Sequence, residues 1–63
     1  MPSERVQRQI DRLLDEAEAA LVSRDWAKVR EAAGDALALD PDNADAGSLL
    51  AAAERSLSAA VPA

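Results

Sequence analysis

Two short polar interruptions divide this chain into three segments, each of which has the pattern of an α-helix. In the first segment, the apolar residues are separated by steps of 4, 3, 1, 3 and 4 positions, which places them on one face of a helix. These residues are Val6, Ile10, Leu13, Leu14, Ala17 and Leu21. Ser3 precedes the segment as a good N-cap, and neither Gly nor Pro interrupts it. The pattern therefore predicts a first helix over residues 4–22.

The two interruptions, residues 23–25 and 40–43, set the ends of the other two helices. Asp25 is a suitable N-cap for a second helix, and Pro41 ends that helix because the residue before a proline avoids the helical region. Asp42 and Asn43 are both suitable caps for a third helix. The predicted helices cover residues 26–39 and 44–60. Because the connections are short, neighbouring helices should be antiparallel. The expected fold is all-α, with three antiparallel helices, the third packed against a helical hairpin.

The apolar residues of the chain are mostly small. Of 63 residues, sixteen are Ala and thirteen are larger aliphatics, and Trp26 is the only aromatic. A chain of this length buries only about 60% of its unfolded surface, and Ala adds little burial energy although it favours helix. We therefore expect closely packed helices, in one small domain or a piece of a larger protein. Some apolar surface should be left for a partner to cover.

The residue types that the chain lacks exclude most kinds of chemistry. Without Cys there is no disulfide or thiolate, and without His the commonest general base is missing. Acid–base catalysis by two carboxylates needs a shielded cleft, for which three short helices leave little room. We expect neither an enzyme nor a bound cofactor. No apolar run approaches the ~18 residues of a membrane span, and no signal-peptide core is present, so we expect a cytoplasmic protein that does not insert into membranes.

The net charge of −5 lies entirely in the second half of the chain. Residues 1–30 carry six basic and six acidic groups, whereas residues 31–63 carry one basic group and six acidic ones. Because an acidic half repels phosphate and no aromatic platform is available for bases, nucleic acid is not an expected partner. Arg5, Arg8 and Arg12 form one helical stripe. This stripe is either a solvated face paired with neighbouring acids or the rim of an interaction surface.

The stretch DPDNADAG, residues 40–47, resembles the start of a calcium-binding loop. Counted from Asp40, it meets only two of the five requirements of an EF-hand, because Ala44, Asp45 and Ala51 occupy positions that need other residues. We therefore expect no specific metal site. The acids instead mark the turn between two helices, with Asp45 in the first turn of the third helix, where the helix dipole favours it.

The stretch DWAKVREAAGDALALDPDN, residues 25–43, resembles the second half of a tetratricopeptide repeat. Asp25 and Trp26 match the opening of that half-repeat, and the close on Ala-Leu-x-Leu-Asp-Pro is present at residues 36–41. In the first half, Leu13 and Ala17 match the large and the small residue of the family's first helix. The resemblance covers about residues 10–43 and implies a helical hairpin followed by a capping-type helix. Ala33 stands where the family prefers a larger aromatic residue, and Pro41 is expected to stop the second helix so that the third can pack against it. The residues expected to have structural roles are Trp26, Ala33, Ala36, Leu37, Leu39, Pro41 and Leu50.

Several positions depart from the family's pattern. Arg24 replaces the usual Gly of the first turn, and Gly47 stands where a bulky side chain is usual. The sequence explains Gly34, inside the second helix, by the close approach of another backbone or by simple tolerance, and it offers no explanation for Gly47.

Tetratricopeptide proteins bind partners and do not catalyse, and several repeats usually stack because one buries too little alone. We therefore expect a protein–protein interaction module that self-associates, most simply as a homodimer. The alternative is a regulatory or oligomerisation segment of a multidomain bacterial signalling protein, such as a cyclase, kinase or ATPase. In its bias towards Ala, Arg and Asp, the chain resembles the short helical regions that are attached to such proteins. The candidate interaction residues belong to the apolar stripe of the first helix and to the basic residues at its rim. The second helix is too short to cover the whole of this stripe. The candidate residues are Val6, Ile10, Leu13, Leu21, Arg5, Arg8 and Arg12.

Overall fold

The computed structural model describes residues 3–60, which form three α-helices and no β-strand. The helices are α1 (Glu4–Val22), α2 (Trp26–Leu39) and α3 (Ala44–Ala60). The prediction of an all-α fold with three helices is confirmed, and the helices occupy the stretches that the apolar spacing indicates. Val61, which that spacing places on the apolar face of the third helix, lies outside the described residues.

Each helix begins at a polar side chain that accepts a hydrogen bond from the first turn. The Ser3 hydroxyl accepts from the amide of Val6 at 3.2 Å, and the Asp25 carboxylate accepts from the amide of Lys28 at 3.3 Å. At the third helix the Asn43 side chain accepts from the backbone N–H of residue 46 at 2.9 Å, so Asn43 rather than Asp42 is the cap. An N-cap of this kind stabilises a helix by about 1 kcal/mol.

Arg24 ends the first helix in the left-handed backbone region. Its φ of 58° is the only positive value among the non-glycine residues that the structure describes. The amide of Arg24 donates to the carbonyl of Leu21 at 3.0 Å, and the amide of Asp25 donates to the carbonyl of Ala20 at 2.9 Å. This pair of bonds is the Schellman motif, in which the left-handed residue is usually Gly. The turn therefore keeps the geometry of a glycine turn with an arginine in its place.

The second helix lies between the other two, which hardly touch each other. One buried cluster, here called the Ile10 cluster, joins Ile10 near the start of α1, Ala36 near the end of α2 and Ala46 near the start of α3. The other, the Val29 cluster, consists of Ala20, Val29 and Ala53. The clusters show that α1 and α3 run parallel to each other and antiparallel to α2, as the short connections predict.

The two glycines of the chain are not required by packing. A Cβ atom built on Gly34 or Gly47 would have no neighbouring atom within 4 Å, and neither residue has a positive φ. Close approach of another backbone therefore does not explain Gly34, and simple tolerance is left as the explanation. The structure gives no physical reason for Gly47 either.

Candidate interaction surface

The core is built from small side chains, and the larger ones are left partly uncovered. Within residues 3–59, seven of the nine buried apolar residues are Ala, and Ile10 and Val29 are the largest fully buried side chains. Every leucine of this part of the chain is at least partly exposed. Leu39 is 37% exposed and Val22 is 85% exposed. This distribution follows from helices that approach closely over Ala and hold the leucines at the edges of the contact.

The apolar stripe of α1 is mostly covered by the chain itself. Ile10 is fully buried and belongs to the core, so it is not available to a partner of the folded chain. Val6 and Leu13 are half-buried against the Ile10 cluster, and Leu21 is half-buried against the Val29 cluster. The part of the α1 stripe that is covered does not depend on the length of α2 alone, because α3 also contributes an alanine to each of the two clusters.

Arg5, Arg8 and Arg12 are exposed on the side of α1 that points away from the core. They line a shallow depression of about 310 Å³ together with Gln9, Leu13 and Glu16. Their exposure is consistent with both interpretations of the stripe, a solvated face or the rim of an interaction surface. The depression is open and formed by one helix.

A second depression, here called the α1–α2 groove, follows the junction of the first two helices. It has a volume of about 250 Å³ and is lined by Gln9, Leu13, Asp35, Ala38 and Leu39. Because Gln9 and Leu13 line both depressions, the groove and the arginine stripe form one continuous surface. That surface is basic on its α1 side, apolar at its centre and acidic at Asp35. No sequence pattern singles out Asp35 or Ala38.

The residues that the sequence predicts to have structural roles divide into two groups. Ala33 and Ala36 are buried. Trp26 and Leu37 are half-buried, each against one of the two clusters, and Leu50 is half-buried as well. Leu39, by contrast, is exposed. Pro41 is exposed too, and it follows the C-cap Asp40 at the end of α2, where the sequence predicts that it stops the helix. Leu39 occupies the last position of α2, at the edge of the buried face, so it contributes to the groove rather than to the core.

Within residues 3–60, no polar or charged side chain is buried. The described residues also contain no group of three or more acidic side chains that could hold a metal ion. None of the described helices has the length and apolar character needed to cross a membrane.

Comparisons of the chain with protein-family models, with curated proteins and with solved structures return no match. The tetratricopeptide resemblance therefore stays a prediction based on residues 10–43.

Proposed function

We propose that this chain is a non-catalytic protein–protein interaction module that self-associates through exposed helical faces. The observation that carries the proposal is the exposure of the leucines, none of which is fully buried in the described chain. A buried leucine side chain contributes about 1.5–3 kcal/mol relative to an exposed one. A second copy that covers several half-exposed leucines would therefore add stability that a core of alanines does not supply.

The arrangement of the helices supports the same proposal. Because α1 and α3 hardly touch, α2 is the only one of the described helices with neighbours on two sides. The faces of α1 and α3 that point away from α2 have no helical neighbour in the described residues. In repeat proteins each unit contacts only the adjacent units, and stacking completes the core. The resemblance of residues 10–43 to a tetratricopeptide repeat is consistent with such stacking.

The size of the chain favours coupling between folding and association. A domain of about 60 residues rarely obtains more than about 3–5 kcal/mol from a single core, and oligomerisation is one of the ways in which small scaffolds compensate. A dimer would bury additional apolar surface from both copies and so raise the stability of each.

The test is to measure the mass of the protein in solution by sedimentation over a wide range of protomer concentrations, together with its thermal unfolding. We expect a shift from monomer to dimer and a melting temperature that rises with protomer concentration, because a ligand of the folded state stabilises it by mass action. A monomeric mass up to millimolar concentration, with a constant melting temperature, would overturn the proposal of self-association.

A further inference from the structure

We infer that the α1–α2 groove is the surface through which two copies of this chain associate, with the arginine stripe of one copy facing Asp35 of the other. The inference rests on the proposed self-association and assigns it to one face of the molecule. Two observations support this assignment. The centre of the groove is apolar, and opposite charges lie on the two sides of the groove.

The centre of the groove is apolar and accessible. Leu13 lines it and is half-buried, and Ala38 and Leu39 are exposed along its α2 side. Leu39 is one of two large apolar side chains that are exposed in the described chain, and the other, Val22, does not line the α1–α2 groove. Removing such a side chain from water is favourable in proportion to the area covered.

The charges beside this centre suit a second copy of the same chain. Arg5, Arg8 and Arg12 line the depression on the α1 side and not the groove itself, whereas Asp35 lines the groove on the α2 side. In a face-to-face dimer whose two-fold axis runs along the groove, α1 of each copy lies opposite α2 of its partner. Each arginine stripe then meets an Asp35, and the same contact is made twice, as an isologous interface requires.

The dimensions of the molecule are adequate for such a dimer. Its extents are 43 × 20 × 13 Å, so its broad faces are large compared with its thickness. A standard interface buries about 800 Å² on each partner, which a face of this size can supply.

The depression between α2 and α3 does not offer separate basic and acidic sides to a second copy of the chain. It is lined by Arg30, Glu54, Leu57 and Ser58, so a cation and an anion already share one small site. A partner would gain no complementary charge there. On the α1 side of the α1–α2 groove, three arginines outnumber the single Glu16, and Leu13 and Gln9 lie between them and Asp35.

The experiment uses two charge reversals, Arg12→Glu and Asp35→Arg, each at an exposed position. In a homodimer of either variant, like charges face each other twice, and we expect the dissociation constant to rise about tenfold. When the two variants are mixed, the glutamate introduced at position 12 of one chain faces the arginine introduced at position 35 of the other. The unchanged Arg12 and Asp35 also meet in that pair. We therefore expect the mixture to form a heterodimer about as stable as the unaltered dimer, measured by sedimentation with one variant fluorescently labelled.

Arg55→Glu and Glu18→Arg are the matched controls, since both residues are exposed and neither lines the groove. These variants should dimerise like the unaltered chain, and circular dichroism should show all four variants to be helical. If the unaltered chain dimerises and the two groove variants dimerise equally well, the groove assignment is wrong while self-association stands. If the groove variants dissociate but do not recover on mixing, the reciprocal pairing is wrong. A monomeric unaltered chain would overturn both proposals.

Discussion

The first and third helices both pack against α2, but they do so with different side chains. The first helix contributes Ile10, which is fully buried, and several half-buried aliphatic residues that pack against the two clusters. The buried residues of α3 are Ala46 and Ala53, and Leu49 is its only leucine that packs against a cluster. The difference shows that α1 buries one large side chain together with Ala17 and Ala20, whereas the buried residues of α3 are all small.

The largest expected effect is the truncation of the main side chain that holds α1. Ile10→Ala removes a fully buried aliphatic group and leaves a cavity, so we expect the free energy of unfolding to fall by about 3 kcal/mol. The measurement is urea unfolding followed by circular dichroism. Val22→Ala on the same helix is the matched control, because Val22 is 85% exposed, and it should change stability little. Equal effects of the two substitutions would show that α1 is not held by its buried side chain.

The opposite change tests the close approach of α3. Ala53 has no exposed surface and lies beside Val29 and Ala20. Ala53→Leu inserts a larger side chain into this contact, and we expect a loss of about 2 kcal/mol from overpacking, measured by the same urea unfolding. Ala51→Leu, on the exposed side of the same helix, is the control and should be nearly neutral. If the leucine at residue 53 were accommodated without loss, α3 would be packed loosely, and the contrast with α1 would not hold.

A gain in stability is expected at the glycine of α3. Gly47→Ala adds a Cβ that meets no atom within 4 Å and removes a residue with poor helix propensity. We expect the free energy of unfolding to rise by about 1 kcal/mol. Gly34→Ala makes the same change in α2, where a Cβ also finds open space, and thermal unfolding of both variants compares the two helices. If Gly47→Ala did not raise the free energy of unfolding while Gly34→Ala clearly did, α3 would contribute little to the cooperative unfolding of the protein.

The smallest expected effect concerns the end of α1. Arg24→Gly removes the steric cost of a left-handed backbone, although the greater freedom of glycine in the unfolded chain offsets part of the gain. We expect a stabilisation of about 0.5 kcal/mol by urea unfolding. Ser23→Gly is the control, because Ser23 has an ordinary φ of −82° and should lose stability on the same change. A loss at both positions would contradict the left-handed assignment of Arg24.

Much of the fold was predictable because its signals are local. The apolar spacing identifies each helix, Ser3 and Asp25 cap the helices that follow them, and Pro41 stops α2 wherever the chain goes next. The choice of Asn43 over Asp42 as the third cap was not predictable. Both side chains can accept the bond, and only the path of the turn decides which one reaches the first helical amides.

The interaction surface was less predictable because exposure depends on several helices at once. The sequence places Ile10 and Leu13 on the same stripe, yet Ile10 is buried between three helices and Leu13 lines the α1–α2 groove. The sequence likewise predicts that Leu39 packs against the other helices, although Leu39 is 37% exposed. A periodic pattern shows which face of a helix is apolar, but it does not show how far a neighbouring helix extends over that face.

Local signals in the sequence are sufficient to predict the number of helices, their approximate bounds and their antiparallel order, because caps, breakers and apolar spacing act within a few residues of the chain. Which apolar residues form the core and which stay accessible depends on how the three helices pack together. Alanines at positions 33, 36, 46 and 53 let the helices come close, so the leucines beside them cannot all be covered. The proposed interaction surface is the result of that close packing.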